Sequence, residues 1–196
     1  MKLVDAIEDK QVSRADLSAG IRQLMITHSD KELRTRAKEL LPTSSADRFR
    51  VVKAYQPALK LNGDLARGKR VFQSVCIACH KLDGVGVDLG PNLASVTDRN
   101  PGSLLSGILD PNASVESKYG SYLASAKDGR SVLGILISEN GANITIKDQA
   151  NQEHVILRSE LVSLTNTGRS LMPDGLETSL TQQNLADVIA YVAAAK

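Results

Sequence analysis

The sequence is poor in aromatic residues and in cysteine. Its 196 residues include no tryptophan, two phenylalanines, four tyrosines and only two cysteines. A core with so few rings is filled mainly by Leu, Ile, Val and Ala, and a large apolar cofactor would help to fill it. Two cysteines can form a disulfide, half of a metal site or a covalent attachment site, so the residues beside them decide the chemistry.

Long hydrophobic runs and a concentration of one charge are also lacking. No run approaches the roughly 20 apolar residues of a transmembrane helix, and residues 1–10 lack the apolar core of a signal peptide. The 24 basic and 22 acidic residues are interspersed and leave a net charge of +2. Nucleic-acid-binding domains usually concentrate basic residues on one face. We therefore expect no transmembrane segment in this chain and no nucleic-acid partner.

Apolar spacings of three and four predict helices over residues 13–55. The positions concerned are Leu17, Ile21, Leu24, Met25, Leu33, Ala37, Leu40 and Leu41. Ser29 and Asp30 are possible caps of the second helix, and a third helix is predicted over Ala46–Tyr55, before Pro57. The segment resembles the end of a HEAT-type repeat array. One such repeat cannot bury both of its faces, so we expect the chain to be part of a longer protein.

Further helices are predicted over residues 64–74, 101–109 and 181–195, where Asn100 and Thr181 are natural N-caps. Between the last two, four runs rich in β-branched or alternating apolar residues predict strands: 122–126, 131–137, 142–146 and 154–157. Turn signals such as Asp128-Gly129 separate them. Four or five strands at this spacing predict a small barrel or curled meander, for which a structural or docking role is favoured over RNA binding.

The two cysteines lie in Cys76-Ile77-Ala78-Cys79-His80, the C-x-x-C-H pattern of c-type haem attachment. Each thiol can add across a haem vinyl group from one side, and the histidine can then bind the iron from that side. A thioredoxin-type redox pair would need a βαβ context. A zinc site would need two more thiol or imidazole ligands. The motif therefore predicts one covalent haem c with its iron, held by Cys76, Cys79 and His80.

The second axial ligand must come from elsewhere in the chain. Met172 is the only methionine after the motif and lies in a loop before the last predicted helix. A thioether ligand favours ferrous iron and raises the reduction potential, which suits an electron carrier. The alternatives are that Met172 only fills the core or that His154, in a predicted strand, binds the iron instead. We predict His80 and Met172 as the iron ligands.

Gly90-Pro91-Asn92-Leu93 follows the motif, and here the sequence resembles class I cytochromes c. In that family the proline carbonyl of this segment accepts a hydrogen bond from the haem histidine, and Pro91 occupies the matching position. The family also packs its first helix across its last through a small residue and two aromatics. The resemblance implies this role for Gly68, Phe72 and Tyr191.

A narrower resemblance covers most of the chain. Residues 72–80, 90–93, 108–112 and 170–176 occur in the same order in the planctomycete-type haem domain, which lies at the C-terminus of large multidomain dehydrogenase-like proteins. It implies a dehydrogenase domain in the same parent polypeptide as electron donor and a soluble cytochrome or terminal oxidase as acceptor. Maturation of C-x-x-C-H haem on the oxidising side of a membrane implies a periplasmic or otherwise extracytoplasmic location.

The combined prediction is a mainly α protein, with a class I cytochrome c helical fold, an N-terminal helical extension and a small β-barrel-like insertion that makes the whole chain α+β. The predicted domains are residues 1–57, 58–110 with 167–196, and 111–166. The predicted function is single-electron transfer without catalysis of its own. If Met172 does not bind iron, an open-site haem enzyme or a gas or redox sensor is the alternative. A third hypothesis is an interaction module in which the strand-rich insertion binds a partner and the haem only stabilises the fold.

Overall fold

A computed structural model describes residues 2–12, 17, 21, 25, 28, 30–41 and 46–195. Its helices are α1 Lys2–Glu8, α2 Lys31–Leu40, α3 Ala46–Tyr55, α4 Leu65–Val71, α5 Pro101–Leu109 and α6 Gln182–Ala194. A π-helical turn, Phe72–Cys76, continues α4, and short 3-10 helices lie at Gln56–Lys60, Leu93–Ser95, Ser117–Tyr119 and Leu176–Thr178. Leu24 and Ser29 of the first predicted helical segments lie outside the described residues.

The strands are β1 Lys81–Leu82, β2 Val85–Gly86, β3 Gly120–Ala126, β4 Ser131–Glu139, β5 Asn143–Asp148, β6 Glu153–Leu157 and β7 Leu161–Ser170. The first two form a hairpin, and the other five form one antiparallel sheet in the order β6-β5-β4-β3-β7. Strands β3 to β6 are a meander, as predicted. Strand β7 returns to pair with β3, so that Gly120 faces Ser170.

The prediction of a mainly α protein is wrong, because the fold is mixed, with 43% helix and 23% strand. Strand β7 explains much of the difference: it extends to Ser170, where the sequence predicted the start of a helical part. Half of its ten residues are Ser, Thr or Asn, so the apolar alternation that marks a half-buried strand is weak. It forms because β3 offers a long antiparallel partner, which single-sequence periodicity does not reveal.

The chain divides into two compact units. The first contains Met1–Thr43, Asn112–Asp148 and Glu153–Leu171, and the second contains Ser44–Pro111, Gln149–Gln152 and Met172–Lys196. The three-part domain division drawn from the sequence stays a prediction.

The first unit has two apolar clusters among its described residues. One joins α1 to α2 and contains Val4, Ile7, Leu17, Met25, Ala37 and Leu41. Arg36 in α2 donates to Asp5 at 2.7 Å and to Glu8 at 2.5 Å in α1. The other lies under the sheet and contains Ala124, Ala126, Ile144, Ile146 and Ile156. Alternate residues of the predicted strands are therefore buried on one face, as their period of two requires.

In the second unit, α4 and α6 cross with their backbones in close contact at Gly68. A Cβ atom on Gly68 would lie 2.0 Å from the carbonyl oxygen of Asp187 and 2.7 Å from the Cβ of Tyr191. The rings of Phe72 and Tyr191 pack beside this point with centroids 5.9 Å apart and planes at 59°. The crossing implied by the family resemblance is therefore confirmed.

Asp187 is a buried carboxylate at the same crossing, with 1% of its surface exposed. Arg67 donates to it through Nε at 2.7 Å and through Nη2 at 2.9 Å. The backbone N–H of Asp64 donates at 2.8 Å and the amide of Gln183 at 2.9 Å. The hydrogen bonds from Arg67 are the main cause that lowers the pKa of Asp187 to about 2. The buried carboxylate of Asp187 in α6 is thus linked to Arg67 in α4 by two hydrogen bonds.

We expect Asp187→Asn to lower the free energy of unfolding by about 2 kcal/mol near neutral pH, because the variant loses charge-assisted hydrogen bonds. The pKa of Asp187 is lower in the folded protein than its unfolded value near 4. The carboxylate therefore contributes its full stabilisation when the pH is above about 4. This contribution is lost as the pH falls through about 2. Urea unfolding from pH 7 to pH 2 measures the difference. The control is Asp47→Asn, whose carboxylate is 87% exposed. A difference for Asp187→Asn that does not depend on pH contradicts the prediction.

Candidate haem-attachment site

The C-x-x-C-H motif forms a tight turn at the end of α4. The π-helical turn Phe72–Cys76 ends at the first cysteine. The N–H groups of Cys79 and His80 both donate to the carbonyl oxygen of Cys76, at 3.1 and 2.9 Å. The N–H of Gly90 then donates to the carbonyl oxygen of Cys79 at 2.7 Å. The loop that contains Gly90 is thereby bound directly to the motif.

The imidazole of His80 is oriented by this loop. Its Nδ1 lies 2.9 Å from the carbonyl oxygen of Pro91. A carbonyl can only accept, so Nδ1 carries the proton and Nε2 keeps its lone pair for a metal. Burial lowers the pKa of His80, although the hydrogen bond to Pro91 acts in the opposite direction. A Cβ atom on Gly90 would lie 2.7 Å from Cε1 of the ring, so glycine lets the loop approach the imidazole closely.

A small hairpin, β1–β2, follows His80 directly and was not predicted from the sequence. Its turn residues Asp83 and Gly84 have φ angles of 51° and 77°, which is the backbone of a type I′ turn. The Asp-Gly pair is the signal that could have revealed it. The hydroxyl of Tyr191 donates to the Asp83 carboxylate at 2.7 Å. Burial, with the neighbouring Asp83, raises the pKa of Tyr191 to about 12. Helix α6 therefore holds the hairpin that follows the motif.

A cavity of about 280 Å³ in the second unit brings the predicted ligands together. It is lined by Val75, Cys76, Ala78, Cys79, His80, Gln149, Met172, Pro173 and Leu176. Both cysteines, His80 and Met172 thus line one space, and the carbonyl oxygen of Pro91 is hydrogen-bonded to the imidazole of His80. A larger cavity, of about 560 Å³, lies beside Lys69, Asp83 and Tyr191 and contains neither thiol, imidazole nor thioether.

The protonation of the thiols distinguishes between the possible uses of the cysteine pair. Burial, followed by the proximity of Cys79, raises the pKa of Cys76 to about 11, and burial raises the pKa of Cys79. The cysteines of reactive C-x-x-C pairs have lowered pKa values, because they act as thiolates. In the described part of the chain, no three His, Cys, Asp or Glu side chains group together as metal ligands. Two neutral thiols, one imidazole, one thioether and apolar walls fit a covalently attached haem.

The other histidines do not line this cavity. His154 in β6 pairs with Asp148 in β5, with 2.7 Å between Nε2 and Oδ2. The Nδ1 atom of His28 accepts from the backbone N–H of Asp30 at 3.1 Å. His154 thus occupies a paired position in the sheet.

Gln149 is a cavity residue that the sequence analysis missed. It lies in the turn between β5 and β6 and belongs to the second unit. The sequence marks this segment only as a turn. No local pattern reveals that a residue of this turn lines a cavity formed by segments distant in the sequence.

A family model of cytochrome c matches residues 65–129. This part of the chain contains α4, the C-x-x-C-H motif, Pro91, α5 and β3. A cytochrome c domain is therefore present, with covalently bound haem c and its iron, and the match supports a class I c-type cytochrome. Cytochrome c domains are generally electron carriers rather than enzymes, and they suggest redox partners. No curated protein matches the chain.

No helix among the described residues has the combined length and hydrophobicity needed to cross a membrane.

Proposed function

We propose that the chain carries single electrons through haem c with His80 and Met172 as axial ligands. The observation that carries the proposal is that Met172 lines the same cavity as both thiols and His80. When bound, haem c supplies an iron that gains and loses one electron reversibly. His80 offers Nε2, Met172 offers its thioether, and Val75, Ala78, Pro173 and Leu176 supply apolar walls. Two axial side chains leave no open position for a substrate, which suits electron transfer without bond chemistry.

The donor and acceptor follow from the family resemblance. We propose a dehydrogenase domain of the parent polypeptide as the donor and a soluble cytochrome or terminal oxidase as the acceptor. Helix α2 lies in the segment that resembles the end of a HEAT-type array, and this resemblance supports a parent of that kind. The proposed location is periplasmic or otherwise extracytoplasmic, because c-type haem attachment takes place on the oxidising side of a membrane.

A potentiometric titration of the haem-loaded protein tests the proposal. We expect one Nernstian wave with one electron, identical in the oxidative and reductive directions, because the axial side chains are held in both states. The oxidised protein should also leave added hydrogen peroxide unconsumed. Catalytic consumption of peroxide would instead favour the open-site enzyme or sensor. So would oxidative and reductive titrations that differ from each other, because such a difference indicates that an iron ligand is exchanged.

A further inference from the structure

The loop that carries Met172 is held by helix α3, which precedes the family match. Arg48 donates through Nη1 and Nη2 to the two carboxylate oxygens of Glu177, both at 2.8 Å. Its Nε donates to the carbonyl oxygen of Leu109 at 2.9 Å. The hydroxyl of Tyr55 donates to the backbone carbonyl of Glu177 at 3.0 Å. Glu177 is therefore bound by two side chains of α3, and Arg48 joins it to the end of α5.

We propose that Arg48 and Glu177 are positioning residues for Met172. Helix α3 would then contribute to the haem-binding site. This inference rests on the proposed ligation by Met172. Leu176 lines the cavity, and the next residue, Glu177, is the one that Arg48 holds. Between Met172 and this turn the chain passes Pro173 and Gly175, whose φ is 95°. Residues 172–175 contain no strand or α-helix, so the contacts of the flanking residues, Glu177 among them, help to hold this stretch.

The geometry of this pair makes it an effective anchor. A guanidinium that donates two parallel hydrogen bonds to a carboxylate fixes distance and orientation together. The two side chains are only 16% and 15% exposed, which limits screening by solvent. The hydrogen bonds from Arg48 are also the main cause that lowers the pKa of Glu177. The Arg50–Asp47 pair on the same helix differs, since its side chains are 78% and 87% exposed and 3.3 Å apart.

If Met172 binds ferric iron, this bond would be the contact most sensitive to the anchor, because a thioether sulfur prefers ferrous iron. A loop that moves more freely loses this bond at a lower temperature. Global unfolding need not change by the same amount. The difference between the two temperatures therefore separates positioning from general stabilisation.

The test compares the haem-loaded wild-type chain with Arg48→Gln, Glu177→Gln, the double variant and Arg50→Gln. Heating is followed by the weak far-red band of methionine-bound ferric haem and by far-ultraviolet circular dichroism. In either single variant we expect the band to disappear roughly 5 °C or more below wild type, with a smaller change in the unfolding temperature. The double variant should match Arg48→Gln, because replacing Glu177 removes nothing further once its partner Arg48 is gone. Arg50→Gln should match wild type.

Tyr55→Phe keeps the proposal testable if the Arg48 variant does not fold. It removes one hydrogen bond to Glu177 and should shift the band in the same direction by less. If wild type has the band and all variants retain it to the wild-type temperature, the positioning role is overturned while Met172 ligation stands. If wild type lacks the band, Met172 ligation itself fails, and the positioning role fails with it.

Discussion

Replacing Met172 with Ala should lower the reduction potential of the haem-loaded protein by on the order of 0.1 V. Axial ligands set haem potentials over a span of roughly 0.8 V, and a thioether lies toward the high end because it stabilises ferrous iron. The variant should also bind carbon monoxide in its reduced form, since alanine leaves one axial position without a protein ligand. Potentiometric titration and carbon monoxide difference spectra measure the two effects.

Met25→Ala is the matched control for the Met172 variant. Met25 is buried in the apolar cluster of α1 and α2, whereas Met172 is half-buried. Its replacement should cost stability, by about 2 to 5 kcal/mol, and leave the potential and carbon monoxide binding unchanged. If Met172→Ala keeps the wild-type potential and excludes carbon monoxide, another side chain occupies the second axial position.

Gly68→Ala should destabilise the second unit by about 3 kcal/mol or more. The added Cβ would lie 2.0 Å from the carbonyl oxygen of Asp187, a backbone atom that cannot rotate away. Helix α4 must therefore move away from α6, which separates Phe72 from Tyr191. Loss of the far-ultraviolet signal at lower urea concentration measures this effect.

The α5 residue Gly107 provides the opposite control. A Cβ atom built there has no heavy atom within 4 Å, and the position is exposed. Gly107→Ala should stabilise the helix by about 0.5 to 1 kcal/mol, because alanine has the higher helix propensity. A Gly68→Ala variant that is as stable as Gly107→Ala would show that the two helices do not cross in close contact.

The sequence predicted those parts of the fold that depend on local signals. Helix α5 begins after Asn100, whose side chain accepts from the N–H of Gly102 at 2.9 Å. Helix α6 begins after Thr181, which forms a capping box with Asn184. The hydrogen bond between His80 and Pro91 was likewise foreseen, because the family resemblance places both residues in one short loop.

The features that were missed depend on contacts between distant residues. Strand β7 has weak apolar alternation and forms through its pairing with β3. Asp187 lies within an apolar helix, and the main partner that explains its burial is Arg67 on the crossing helix. The pair of Arg48 with Glu177 joins segments that no spacing rule connects. A single sequence records residue types, whereas these contacts depend on how the helices and strands pack.

The assignment of His80 and Met172 as paired iron ligands is decided by one absorption spectrum. The oxidised, haem-loaded wild-type protein should show low-spin absorption with the weak far-red band of a methionine–iron bond, and Met172→Ala should lack that band. This result would establish a closed iron that serves electron transfer. A wild-type protein with a high-spin spectrum, no far-red band and ready binding of carbon monoxide when reduced would contradict the assignment and favour an open-site enzyme or sensor.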